Sequence, residues 1–257
     1  MKFYFLCLIL ILMSLHELVS QVNVEDLRRT IGEEGIRLTF GLDFTYKDGN
    51  TEEVKIEPNF QLDYKHHSFY SFIYIDGTYK ESNYLLSDNN AKIHYRFVYH
   101  LTDLLNPEIF LQTEFDQFIE LKERDLAGGG MRFVLVEYAA DKDSSKKIGL
   151  SFGLGAMYEY ELINGNPDYS NNNARFTNYI SFKWKPADSF VCATTTYYQP
   201  KMNDWNDIKA YTESEFAFYI GSHFAFTFDL TWKYHSNPPT SVKPYDIELS
   251  NGIIVLL

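Results

Sequence analysis

The chain has 257 residues and a formal net charge of −12. That length suits one domain or one barrel, and the acidic balance argues against nucleic acid as a partner, which requires basic patches. Aromatic residues make up 17 % of the sequence, yet mean hydropathy is slightly negative; a barrel wall stays compatible with that average, because outward and inward residues cancel in it.

Residues 1–20 differ from the rest. Lys2 precedes an apolar run from Phe3 to Met13, and a stretch ending at Ser20 leads to Gln21. This is the pattern of a secretory signal peptide, and the run is short for a membrane-spanning helix. With Cys7 inside that segment, the mature chain keeps only Cys192, so no intramolecular disulfide organises the fold. Residues 21–34 form a short N-terminal segment, in which Val24, Leu27 and Ile31 mark an amphipathic helix. No later apolar stretch approaches twenty residues, so an exported chain of this kind is soluble or a barrel.

From residue 35 to 257 the chain alternates with a period of two, the signature of strands with one apolar and one polar face. Ile36 to Tyr46 alternate apolar side chains with Arg37, Thr39 and Asp43; the turn Lys47-Asp48-Gly49-Asn50 follows. Val54 to Tyr64 alternate with Lys55, Glu57, Gln61 and Asp63, and Pro58 predicts a bulge, since it removes a ladder bond. Ser68–Tyr79 is apolar on both sides and leaves its register open. Ile93, Tyr95, Phe97 and Tyr99 oppose Lys92, His94, Arg96 and His100, and Ile109, Leu111 and Phe115 oppose Gln112, Glu114 and Asp116. The sixth strand carries Gly128-Gly129-Gly130 and then sets Met131, Phe133 and Leu135 against Arg132. Ile148 to Tyr160 alternate with Gly149, Gly153 and Glu159; Phe176 to Trp184 alternate with Arg175, Ser181 and Lys183. Phe190–Gln199 is Thr-rich and ambiguous, while Phe216, Phe218 and Ile220 oppose Lys209, Tyr211 and Glu213. A closing hairpin runs from Phe224 to Tyr234 and from Tyr245 to Leu257. The fold class is therefore all-β, an antiparallel up-and-down transmembrane β-barrel of about twelve strands.

The links support two different rims. Lys65–His67, Lys185–Ser189 and Gly221-Ser222 are short; Lys80–Asn90, Glu161–Asn173 and Pro200–Asp207 are long and polar, and Asp141–Lys146 is longer than the short-turn side calls for. Tight turns on one side and long loops on the other belong to outer-membrane barrels, with both termini on the short-turn, periplasmic side. Tyr46, Tyr79, Tyr160 and Trp232 fall at long-loop ends of strands, and Tyr64, Tyr99 and Trp184 at short-turn ends, as two interfacial belts require.

Two motifs carry a resemblance. Glu114, Asp116, Phe118, Leu121, Arg124, Gly128 and Gly130, followed by Arg132, fit E-x-D-x-F-x-x-L-x-x-R-x-x-x-G-x-G, and Ser236, Pro238, Pro239, Val242 and Asp246 fit S-x-P-P-x-x-V-x-x-x-D. Their order resembles the domain-of-unknown-function 481 family, best over residues 92–257. The resemblance implies an outer-membrane β-barrel with no established activity. Leu257 stands where the last strand of such proteins usually ends on an aromatic residue.

Charges on the inward face nearly balance. The expected interior network is Arg96, Glu114, Asp116, Arg132, Glu159, Arg175 and Asp229, with Glu114 and Asp116 bridged to Arg96 or Arg132. In a narrow interior such charges pair and partly plug the space, whereas a selective pore shows a ring of one sign. The reading is a non-enzymatic outer-membrane barrel, structural or narrow. A small-solute channel is the near alternative, and a rim lipase-type enzyme the more distant one, because no Ser–His pair falls on the lipid face. No cofactor and no metal are expected: His94, His100 and His223 lack ligand spacing, and Gly128-Gly129-Gly130 lacks the Lys-Ser/Thr of a phosphate loop, so a bulge or close wall packing accounts for it. The expected partners are the outer-membrane bilayer, the barrel-insertion machinery and, for a channel, small solutes or ions.

Overall fold

The computed structural model describes residues 34–50, 52–139, 147–221, 224–239 and 241–255. The expected signal peptide, all but the last residue of the expected amphipathic helix, His223 and Leu257 lie outside them.

The described chain is an antiparallel β meander. Its strands are β1 Gly35–Lys47, β2 Glu53–His66, β3 Phe69–Ser82, β4 Leu85–Tyr99, β5 Leu105–Asp116, β6 Leu121–Ala139, β7 Lys147–Ile163, β8 Tyr169–Phe176, β9 Asn178–Ala187, β10 Phe190–Lys201, β11 Asp204–Ile220, β12 Phe224–His235 and β13 Tyr245–Val255. A single 3-10 turn, Gln117–Ile119, joins β5 to β6. The thirteen strands make twelve wall positions, because β8 and β9 are two halves of one strand. Ala156 pairs with Phe176 and Gly153 with Tyr179 in one unbroken register. On the other side Lys201–Arg175 and Tyr198–Asn178 also share a register. At the break, the Thr177 amide still donates to the Gly155 carbonyl at 2.9 Å.

Alternation sets which face each strand buries. On β5, Ile109 and Leu111 are 58 % and 56 % exposed on the outer face, while Gln112 and Glu114 are each 6 % exposed on the inner one. The same inversion runs round the sheet: Ile36, Phe40, Leu154, Ile180, Phe218, Phe226 and Leu249 are exposed, and Asp63, Lys92, Arg96, Glu159, Arg175 and Lys209 are buried. The two ambiguous strands resolve in the same sense. On β3, Tyr70, Phe72 and Thr78 are buried and Ile73, Ile75 and Tyr79 exposed; on β10, Thr195, Tyr197 and Gln199 are buried and Tyr198 exposed.

The sheet coils far enough for distant strands to touch. Tyr70 and Phe72 of β3 pack with Tyr179 of β9, Tyr197 of β10 and Tyr211 of β11 in one buried cluster. Among the described residues, β1 pairs with β2 and β13 with β12.

Several expectations change. Pro58 causes no bulge: it pairs with Leu42 in an unshifted register, and the β2–β3 ladder merely lapses between the Ile56–Tyr79 and Asn59–Asp76 pairs. A missing amide leaves the neighbouring strand unbonded locally without adding a residue. The long links contract, because polar stretches continue the ladders past the apolar band. The β3–β4 turn is Asn83-Tyr84 and the β10–β11 turn Met202-Asn203; β6 begins at Leu121, well before its glycines. Asn83 and Tyr84 adopt φ of 49° and 61°, as a two-residue hairpin turn with the twist of its strands requires. The glycine run carries no bulge either, since the β6 register shifts fall at Leu121/Glu123 and Val134/Val136. Close packing explains it: a Cβ on Gly128 would stand 2.5 Å from Phe110 Cζ.

Candidate functional site

Inward positions of β5, β6, β7, β8 and β11 converge on one buried carboxylate. The register sets Arg124 opposite Glu114 on β5 and Glu161 on β7, and Glu159 opposite Asn173 on β8. Arg124 Nη1 donates to Glu114 Oε1 at 2.8 Å, and its Nη2 donates to Glu159 Oε1 at 2.6 Å. Arg175 Nε donates to Glu159 Oε2 at 2.6 Å, and Arg175 Nη2 to Asp207 Oδ1 at 2.7 Å. From across the interior, Lys209 Nζ reaches Glu159 Oε1 at 2.8 Å and Glu161 Oε1 at 2.5 Å. Three cations thus share Glu159. Burying one ion costs several kcal/mol, which pairing must offset, so the arrangement is stable only while complete.

A chain of polar contacts continues toward the short-turn rim. Gln112 Nε2 donates to Glu114 Oε2 at 2.8 Å, and Gln112 Oε1 meets His94 Nδ1 at 2.9 Å. Arg96 Nε donates to His94 Nε2 at 3.4 Å, and its Nη1 lies 3.0 Å from Glu108 Oε1. Glu108 also accepts from Tyr179 Oη at 3.0 Å. The His94 ring stacks between Phe72 and Phe110, and the Arg96 guanidinium lies 4.9 Å from the Phe110 ring centre. Tyr179 reaches Glu108 over Gly153, where a Cβ would clash with its ring.

The expected network residues are therefore placed as follows. Arg96, Glu114, Glu159 and Arg175 enter this connected set. Glu114 takes Arg124 as its partner, neither Arg96 nor Arg132; Arg124 faces it directly across the β5–β6 ladder. Asp116 keeps the inward face, opposite Asn90 in the same β4–β5 register as Glu114, and lines the space above the network; the β5–β6 register shifts just past Glu114, so Leu121 rather than a cation stands opposite it. Its Oδ1 instead accepts from the Phe118 amide at 2.9 Å and caps the 3-10 turn. Arg132 lies lower, donating to Ser151 Oγ at 2.7 Å. Asp229 accepts from Ser250 Oγ at 3.4 Å across β12–β13. Arg124, Glu108, Glu161 and Asp207 are not among the expected residues: Arg124 is marked in the sequence by the family motif alone, Glu161 and Asp207 lie in polar stretches that resemble loops, and Glu108 precedes the apolar alternation of its strand by one residue. His100 meets Asn106 Oδ1 at 3.1 Å in the β4–β5 turn. Among the described residues no group of three or more His, Cys, Asp and Glu is arranged for a metal ion.

Above the network a vestibule of about 770 Å³ opens at the rim that carries the β5–β6, β7–β8 and β12–β13 links. Its floor includes Arg124, Glu161, Lys209 and Tyr211, and Asn237, Pro238, Pro239 and Val242 of the β12–β13 link form part of its lining. That link is pinned at its base: Ser236 Oγ donates to the Asn206 carbonyl at 2.7 Å and accepts from the Ile208 amide at 2.8 Å. The His235 amide donates to the Pro244 carbonyl at 2.8 Å. Pro238 and Pro239 fix φ shortly after the first anchor, and Pro244 is itself the second.

No curated protein matches this sequence. Solved structures resemble it remotely. A NanC porin is 12 % identical, with 80 % of this chain and 97 % of that chain covered and a TM-score of 0.44. The monoaromatic hydrocarbon channel CymD is 11 % identical, with 86 % and 79 % covered and a TM-score of 0.39. Residues 38–255 match the family described as protein of unknown function, DUF481, a span that takes in the whole ion network and both sequence motifs, and the chain belongs to that family.

Proposed function

We propose that the chain is a non-enzymatic outer-membrane β-barrel, narrow and plugged by its interior ion network, with a vestibule open at the outer rim. The inverted distribution of side chains carries this reading. Soluble monomers rarely expose contiguous apolar patches beyond a few hundred Å², whereas here Ile, Leu, Phe and Tyr side chains are exposed on strand after strand while ionised groups are buried. Hydrocarbon is the solvent that suits such a surface. The eleven residues from Phe224 to Tyr234, tilted as barrel strands are, span about 25 Å, the height of a lipid-facing band. Hydroxyls on the outer face satisfy one another: Thr194 Oγ1 pairs with Ser214 Oγ at 2.7 Å and Thr196 Oγ1 with Thr212 Oγ1 at 3.1 Å. An even number of wall positions sets β1 and β13 antiparallel, so that their free edges close the barrel in a bilayer, where an open edge is untenable.

The plug follows from the two buried layers. The ion network and the Tyr70, Phe72, Tyr179, Tyr197 and Tyr211 cluster span the interior one below the other. Purified protein inserted in a planar bilayer is expected to pass little or no current in monovalent salt. Stable large conductance steps in the unmodified protein would replace this reading with an open channel.

A further inference from the structure

We propose that the vestibule is a binding site for a neutral, polyhydroxylated solute, in chemical terms a short uncharged oligosaccharide. The inference deepens the reading of a plugged barrel: a blind cavity facing outward binds rather than conducts. At about 770 Å³ the space lies within the range of small-molecule sites and accommodates two or three sugar rings.

Its charges favour an uncharged guest. Five carboxylates and four Lys or Arg side chains line it, so the signs nearly cancel. The floor cations are occupied: Lys209 and Arg124 hold Glu159 and Glu161. Lys233 stands opposite Asp246 in the β12–β13 register. A site of nearly balanced sign gives a simple ion little advantage, and it keeps its hydrogen-bonding capacity for hydroxyl groups. Asn171 and Asn237 each offer both a donor and an acceptor, whereas Asn90 Nδ2 already donates to Asp88 Oδ1 at 2.8 Å. Hydroxyls both donate and accept, so a polyol matches this mixed inventory better than an all-donor cation or an all-acceptor anion.

Aromatic surface supplies the other half of the recognition. Phe118 and Tyr169 line the cavity with about half of each side chain exposed. Flat apolar faces of that kind suit the C–H faces of a sugar ring, and both are held on ordered backbone. Asp116 caps the turn that carries Phe118, and Tyr169 pairs with Ile163 in the β7–β8 ladder.

The test is calorimetric titration of the full chain, folded in detergent micelles, with neutral trisaccharides of glucose, mannose and N-acetylglucosamine as probes and choline chloride as the cationic comparison. At least one trisaccharide is expected to bind saturably. Tyr169→Ala and Asn171→Ala, both exposed positions, should each weaken it about fivefold, and choline should neither bind nor compete. Absence of saturable binding for all three sugars, equal affinity in both variants, or displacement by choline would each overturn the proposal. Whether the same sample shifts mobility on unheated detergent gels is scored separately and bears on the barrel reading alone.

Discussion

Arg175 and Glu159 meet at 2.6 Å through Nε and Oε2, and both side chains are essentially withdrawn from solvent. Neither residue is adjacent to the other in sequence, and Arg175 is one of three cations that donate to Glu159. Replacing Glu159 by Ala leaves Arg124, Arg175 and Lys209 short of a shared counter-charge at a buried position. Removing one partner of a buried pair costs roughly 3–5 kcal/mol. Urea unfolding in micelles should show a loss of that order for Glu159→Ala, and a much smaller one for Lys47→Ala, whose bridge to Glu53 is solvent-exposed. Equal losses at the two positions would contradict the hub.

Gly153 and Gly149 lie on the same inward face of β7 and predict opposite outcomes. A Cβ at Gly153 collides with the Tyr179 ring, whereas at Gly149 the nearest atoms stand 3.9 Å away. Gly153→Ala should cost roughly 1–3 kcal/mol through forced displacement of Tyr179, and Gly149→Ala should be neutral or slightly stabilising. The same urea series reads both.

The β7–β8 turn, residues 164–168, carries a pH response. Asp168 Oδ2 accepts from Lys122 Nζ at 2.6 Å and Asp168 Oδ1 from the Gly165 amide at 3.1 Å. The Lys122 hydrogen bond, then the Gly165 amide, hold its carboxyl below the ordinary aspartate value. A depressed folded-state value means that the turn's stabilisation is present above the ordinary aspartate range and is lost as pH falls through the lowered value. Protection of the Gly165 amide, measured relative to its intrinsic exchange rate, should therefore fall on acidification only below that range. Lys122→Ala should move the Asp168 titration upward; an unmoved titration would contradict the assignment.

If the aromatic and ionic layers form the plug, thinning both should open it. Tyr197→Ala combined with Tyr211→Ala removes two rings of the buried cluster, and their centroids lie 6.3 Å apart. This double variant, further combined with Glu159→Gln, should pass current in a planar bilayer where the parent does not. A silent triple variant that still folds would show that another layer blocks passage.

Much of the fold was legible because period-two alternation is local. The twelve wall positions, the inward facing of Glu114 and Glu159 and the outward facing of Leu111 and Phe226 follow from counting residues along one strand. What failed depended on neighbours. Partner choice failed, since Glu114 pairs with Arg124 rather than Arg96, and only inter-strand register decides that. A shift of the β5–β6 register next to Asp116 set Leu121 opposite it, so alternation placed its face but not its partner. Turn lengths failed at Asn83-Tyr84 and Met202-Asn203, because polar strand extensions beyond the apolar band read like loops. Glu161 and Asp207 were overlooked for the same reason.

The proposed barrel stands on apolar outer rows that face hydrocarbon and ionised inner rows that do not. Nitroxide labels on adjacent positions of one strand test it: Leu111→Cys and Gln112→Cys, each in a Cys192→Ser background, in protein reconstituted into phospholipid vesicles. The label at 111 should collide freely with oxygen dissolved in the bilayer and hardly with a water-soluble nickel chelate, and the label at 112 should be sheltered from both. Ready collision of the label at 111 with the nickel chelate would place that row in water and contradict the account.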